Sequence, residues 1–228
     1  VAFIKRLSGA KAGHAGTLDP EAAGVLPLLL GRATRIADYL MAGRKVYLAE
    51  IAFGKATDTQ DAQGQVIAEG EDYPDIRRIK AVLPGFTGNI SQLPPQYSAL
   101  KTGGMPAYRL AREGKQAALQ PRRAQVYSID LLRPVQDHGF LLRVACGRGT
   151  YIRTLCHDIG EALGCPAHMR ILIREESAGL GIAQALTIEA LKEAGREGLE
   201  RCLIRPDAAL GFLPGMVVPE GLIHLLAG

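Results

Sequence analysis

The chain has no tryptophan, and aromatic residues make up only 5% of its 228 positions. Its core must therefore be packed from aliphatic side chains, and any stacking on a planar ligand falls mainly to tyrosine. Cysteine is scarce as well. The four thiols, at 146, 156, 165 and 202, are spaced too widely and irregularly for paired CxxC zinc ligands. A chain this long and this apolar does not need disulfide staples, so reduced thiols in a cytoplasmic protein are expected. No apolar run approaches the 18 residues of a membrane-spanning helix, and no signal-peptide pattern opens the chain. The first residue is Val1 rather than Met, so further N-terminal residues are expected.

The common catalytic signatures are missing too. There is no GxSxG nucleophile elbow, no GxxxxGK[ST] or GxGxxG phosphate loop and no HExxH. His14, His138, His157, His168 and His224 are scattered, and Cys156-His157-Asp158 packs three ligand types too tightly for a common metal site. No metal and no cofactor are expected.

What is present suits one large domain, or one domain with a small appendage: 47% hydrophobic and 22% charged residues can build a full core. The net charge of +4 permits a nucleic-acid partner without demanding one.

Residues 1–7 carry apolar side chains at helical spacing, with Gly9 as a stop. The stretch GHAGTLDP at 13–20 holds two glycines, a proline and one carboxylate, Asp19, directly before a long apolar run. It is either a polar turn or a loop that fixes one carboxylate at the edge of a buried element. Residues 24–30 read as a buried strand, 33–41 as a helix, and 45–53 as a strand with Tyr47 near its start. TDTQDAQG at 57–64 is a polar loop without a calcium pattern, lacking Glu at the twelfth place. Residues 74–83 form an amphipathic helix with Arg77, Arg78 and Lys80 on a solvated face.

The segment 94–123 has Lys101, Arg109, Arg112, Lys115, Arg122 and Arg123 against Glu113 alone, a net +5, with Tyr97 and Tyr108 interleaved. It is either a basic surface excursion or an element that grips phosphates and stacks on bases. Residues 125–132 and 140–146 read as an antiparallel pair. Behind them Thr150 is a candidate cap for a helix with the buried stripe Ile152, Leu155, Ile159 and Leu163. Tyr151 and Arg153 lie off that stripe's centre and face either solvent or a cleft. Residues 169–173 form a strand or strand end, and 187–194 a short helix capped by Thr187. From 204 onward, recurring Pro and Gly mark a boundary.

Four motifs together resemble the TruB family of tRNA pseudouridine synthases: GHAGTLDPEAAGVLPLLLGRATR; RKVY at 44–47 leading to Gly54 and TDTQD; PPQYSALK at 94–101; and GTYIRTLCHDIGEALGCPAH at 149–168. The resemblance covers most of the chain. It implies an α+β fold with a mixed, mostly antiparallel central sheet flanked by helices. It further implies a catalytic domain over 1–205, with a tRNA-gripping insertion at about 94–123. A linker and the start of a truncated C-terminal PUA-like domain would follow over 206–228. The implied activity is conversion of uridine to pseudouridine at position 55 of the tRNA T loop, by a cytoplasmic monomer without cofactor or metal.

Carried over residue by residue, Asp19 is the catalytic carboxylate and Arg153 its partner, which would keep it ionised. His14 fills the space left by the flipped nucleotide, Tyr47 lies against the target base and assists proton removal, and Tyr151 and Leu172 line the base pocket. Lys101, Arg109, Arg112, Lys115, Arg122 and Arg123 would contact RNA. Three departures stand out. The family's GxxxxDKPxGxxS-like first motif would precede Val1. Arg148 replaces a common Lys, and Ile173 replaces the first of two arginines after Leu172. The PUA-like domain is only a stub. A non-catalytic tRNA-folding chaperone and a guide-RNA-dependent pseudouridylase are the alternatives, and the long PPQYSALK insertion speaks against the second.

Overall fold

The structure is a computed structural model that describes residues 1–216, 218, 219 and 221. A short helix α1 (Ala2–Ser8) ends at Gly9 in the left-handed region, as its sequence predicts. Strand β1 (Ala12–His14) pairs antiparallel with β3 (Leu28–Leu30) to make a small ribbon, and β2 (Ala23–Gly24) lies in the loop between them. The single strand expected over 24–30 is thus two short strands. Pro27, which has no N–H to give a ladder, sits in the break. The helix expected over 33–41 starts as a 3₁₀ turn, Gly31–Ile36, and becomes α2 only at Ala37–Ala42.

Next come β4 (Lys45–Phe53), with the predicted boundaries, the hairpin β5 (Lys55–Thr57) and β6 (Val66–Glu69), helix α3 (Ile76–Val82) capped by Asp75, and β7 (Gly88–Gln92). The basic insertion carries β8 (Lys101–Thr102), β9 (Met105–Pro106) and α4 (Ala107–Arg112). The predicted antiparallel pair is β10 (Arg122–Val135) with β11 (Gly139–Cys146), so Arg122 and Arg123 belong to the sheet and not to the insertion proper. Helix α5 (Ile152–Leu163), β12 (Ala167–Ser177), β13 (Leu180–Gly181), α6 (Ile188–Arg201) and α7 (Pro206–Ala209) complete the described chain. Helix α6 runs beyond the predicted 187–194, across a non-helical Gly195, and Thr187 caps it as expected. Of the linker and PUA-like start expected over 206–228, residues 217, 220 and 222–228, with His224 among them, lie outside the described residues.

The central sheet runs β13-β12-β4-β11-β10-β7, every neighbouring pair antiparallel, with β2 added in parallel beside β12. This is the mixed, mostly antiparallel sheet that the resemblance implied. Tyr47, Ala49, Ile51 and Phe53 of β4 share one face with Leu142, Val144 and Cys146 of β11 and Leu172 of β12. The stripe of α5 closes over that face through Ile152, Leu155, Ile159 and Leu163. Alternation in the strands and 3.6-residue spacing in the helix put these apolar groups on facing surfaces. The buried residues of this cluster include only the aromatics Tyr47 and Phe53, so aliphatic packing does most of the work.

Candidate active site

The loop between β1 and β3 is pinned at several points. Ala15 N donates to Pro27 O (3.0 Å) and closes its neck. Ala22 N donates to Asp19 O (3.0 Å), which turns the chain just after the carboxylate. Gly24 pairs with Arg174 of β12, and Val25 N donates to Arg174 O (2.8 Å). Gly24 has φ 103°, and a Cβ there would overlap the Arg174 carbonyl oxygen, so the close approach of loop to strand requires glycine. The effect is to fix the loop that carries Asp19, whose side chain is 39% exposed.

From the opposite side, Arg153 in the first turn of α5 meets Asp19. Its Nε lies 2.9 Å from Oδ2 and its Nη2 donates to Oδ1 at 3.2 Å, a two-armed contact. Arg153 is buried, against the alternative of a solvated first turn. It also donates from Nη1 to Thr59 O (3.2 Å) and from Nη2 to Tyr97 O (3.1 Å), and Asp61 Oδ2 stands 3.7 Å from Nη1. The polar loop 57–64 therefore wraps this arginine. Gln60 in that loop holds φ 62°, unusual for a side-chain-bearing residue. It is fixed there by Thr154 Oγ1 donating to its Oε1 (2.9 Å) and Met169 N donating to its carbonyl (3.0 Å).

Both tyrosines join the same site. Tyr47 is buried on β4, opposite Val144 of β11 and Arg174 of β12. Burial pushes its phenol pKa up, the Cys146 thiol adds to the rise, and Arg174 opposes it. Tyr151 is half-buried, and burial raises its phenol too, with the Ser98 hydroxyl and Arg153 acting against the rise. The Asp19 charge reaches both phenols. Leu172 is buried in the same cluster as Tyr47.

Tyr151 is the N-cap residue of α5 and has no side-chain cap, which corrects the assignment to Thr150. The Thr150 hydroxyl instead donates back to Gly147 O (3.2 Å) and Gln125 O (3.5 Å), closing the preceding turn. The Tyr151 backbone is held by Gln92, whose Nε2 donates to Tyr151 O (3.1 Å) and whose Oε1 accepts from Tyr151 N (3.0 Å).

His14 is exposed at the end of β1, and its ring makes no hydrogen bond among the described residues. Lys101, Arg109 and Arg112 are exposed on the insertion, with Arg112 over the Tyr108 ring at 5.6 Å. Lys115 is exposed but paired with Glu113 (2.9 Å), and Arg122 and Arg123 lie exposed at the start of β10. Among the described residues no group of His, Cys, Asp and Glu could hold a metal ion, and no helix is long and apolar enough to cross a membrane.

Sequence reasoning missed Arg174, Gln92 and the part played by Asp61. Arg174 follows Leu172 by two, on the same strand face, and that parity was the available signal. Asp61 was seen only as part of a polar loop.

What this arrangement can do is present to a ligand a carboxylate held by a guanidinium and by a pinned loop, within electrostatic reach of two tyrosines. The fold resembles Cbf5 in the crystal structure of a Cbf5-Nop10-Gar1 complex, with a TM-score of 0.71 and 30% identity over 93% of this chain and 57% of that one. A second structure, of the archaeal box H/ACA sRNP Nop10-Cbf5 complex, gives 0.66 at 30% identity. The model of the TruB family pseudouridylate synthase N-terminal domain matches residues 5–152, and that of the tRNA pseudouridylate synthase B C-terminal domain matches 153–210. The fold is thus that of a pseudouridine synthase, an isomerase that turns uridine into pseudouridine in RNA.

The chain belongs to the TruB family, whose substrate is tRNA. It is 43% identical to tRNA pseudouridine synthase B of Syntrophotalea carbinolica over 99% of its own length and 74% of that protein's. The protein of the same name from Symbiobacterium thermophilum is 46% identical over 96% and 73%, and that from Francisella philomiragia 48% identical over 82% and 62%.

Proposed function

We propose that the protein converts uridine 55 in the T loop of tRNA to pseudouridine, with Asp19 as the nucleophile. The observation that carries this reading is the two-armed contact of Arg153 with Asp19. The isomerisation breaks the bond between uracil N1 and ribose C1′ and makes one between C5 and C1′. The C5 proton leaves and N1 gains one, so composition and oxidation state are unchanged. A carboxylate can serve by attacking either the base or C1′. Tyr47 lies against the base and takes part in proton removal, Tyr151 and Leu172 line the pocket, and His14 occupies the space of the flipped nucleotide. Extruding a base costs a few kcal/mol, which stacking and a wedge can offset.

The catalytic domain spans 1–205. Its insertion grips the T arm through Lys101, Arg109, Arg112 and Lys115, aided by Arg122 and Arg123, as phosphate contacts suit RNA read by shape. Residues 206–228 form a linker and the start of a PUA-like domain. The protein acts as a cytoplasmic monomer without cofactor or metal. Incubating the intact protein with T-arm RNA tritiated at uracil C5 tests the reading. Tritium release that Asp19→Asn abolishes supports it, and no release by the unsubstituted protein refutes it.

A further inference from the structure

Arg174 heads the fully buried side chains by volume, at 1% exposure. Burying a guanidinium is costly unless a counter-charge or hydrogen bonds meet it. Here no carboxylate among the described residues lies within ion-pair distance. The recorded bonds go to carbonyls: Nε donates to Val25 O at 2.7 Å and Nη2 to Gly16 O at 3.0 Å. Gly16 and Val25 lie on either side of Asp19 in the loop. The Arg174 backbone holds the same loop, since Gly24 pairs with it and its carbonyl accepts from Val25 N. One residue therefore fixes the catalytic loop to β12 at two points.

Arg174 also stands directly opposite Tyr47 on the neighbouring strand. Directly opposed residues on antiparallel strands share a face and interact. The titratable groups acting on Tyr47 come from each packed element: Cys146 on β11, Arg174 on β12, and Asp19 on the loop, which Arg153 of α5 pairs. The Cys146 thiol is pushed up to about 11 by burial and so is uncharged near neutral pH. Lys45, on the same strand face as Tyr47, is turned away: its Nζ donates to Met41 O and Gly43 O, both at 2.6 Å.

We propose that Arg174 is a positioning residue: its fork locks the Asp19 loop onto β12, and its guanidinium, on the strand position opposite Tyr47, couples that loop to the tyrosine. Arginine suits this task because a rigid planar fork reaches two carbonyls at once while staying cationic, which an ammonium group cannot match. The proposal rests on Tyr47 as the proton-removing group, and its test is separable from turnover.

The test is an NMR titration of the intact protein labelled at tyrosine ring Cζ, with the Tyr47 signal assigned by Tyr47→Phe. In Arg174→Gln, Tyr47 should ionise about one pH unit higher or more, while the other tyrosines titrate unchanged. Arg174→Lys should hold the Tyr47 midpoint near the native value yet lower kcat by about tenfold or more, with KM for tRNA within about twofold, because the loop is loosened. An unmoved Tyr47 midpoint in a folded Arg174→Gln protein overturns the proposal. Should that variant not fold, native kcat in Arg174→Lys overturns it instead. A Tyr47 shift in a protein that makes no pseudouridine would defeat the functional reading and leave the Arg174–Tyr47 coupling standing.

Discussion

The Tyr97 carbonyl at the base of the insertion accepts from the same Arg153 Nη2 that donates to Asp19, at 3.1 Å and 3.2 Å. The basic insertion is thereby tied to the arginine that pairs with Asp19. A bidentate guanidinium–carboxylate contact fixes direction as well as charge. Asp19 is therefore aimed by two devices, the loop pinned on β12 and the fork of Arg153.

Asp19→Asn should remove turnover, by about a thousandfold or more, because the amide is not a nucleophile. Its effect on stability should be small. Arg153 keeps Thr59 O, Tyr97 O and Asp61, and Asp19 is already partly solvated, so the melting temperature should move by no more than about 2 °C. Arg153→Met is different. It leaves two carbonyls and the Asp19 carboxylate without their donor, removes the ion pair to Asp61, and should cost roughly 2 kcal/mol besides activity. Chemical denaturation of the two variants side by side separates these outcomes.

Gly24→Ala should destabilise the fold by about 2 kcal/mol or more, since a Cβ would overlap the Arg174 carbonyl oxygen and φ of 103° strains any side chain. Activity should fall with stability, because the displaced loop carries Asp19. Gly9→Ala, which meets nothing within 4 Å but sits at φ 67°, serves as the control and should cost only about 1 kcal/mol.

Part of this was legible beforehand and part was not. Strand Lys45–Phe53 could be bounded to the residue because it is a short, mostly apolar run between Arg44 and Gly54. The stripe of α5 was equally plain. Spacing alone left Arg153 between solvent and a cleft, because periodicity counts apolar groups and is blind to a buried cation whose partner Asp19 lies 134 residues away. Arg174 was overlooked for the same reason. Local chain chemistry misled at Thr150, a good cap by type whose hydroxyl is used by the turn before the helix. Pro27 likewise split an apolar run that hydropathy alone treats as one strand.

Alkaline conditions should destabilise the protein through its buried thiols. Burial raises Cys146 to about 11 and Cys156 to about 12 from 9.0. The folded state keeps protons that the unfolded chain releases, so this contribution is fully present below pH about 9 and is lost as pH climbs through about 9 to 12. The melting temperature should be flat near neutrality and fall above pH about 9, less steeply in Cys156→Ala. Under native conditions at pH about 8 iodoacetamide should label the exposed Cys202 and spare Cys146, Cys156 and Cys165.

Charge reversal on the insertion should act on binding alone. Lys101→Glu and Arg109→Glu change exposed groups away from Asp19 and should weaken tRNA binding without altering the single-turnover rate at saturation. Each lost phosphate contact should flatten the plot of log K against log salt by about 0.7 to 0.9. Lys115→Glu should do less, since Glu113 already neutralises that lysine.

The central claim is that Asp19 isomerises a T-loop uridine, and pseudouridine mapping on tRNA tests it most directly. Unmodified tRNA transcript is incubated with the intact protein or its Asp19→Asn variant, labelled with a pseudouridine-selective reagent and read by mass. The native protein should leave one labelled nucleotide, at position 55, and the variant should bind the transcript and leave none. Label at another position, or label that survives Asp19→Asn, would contradict the account.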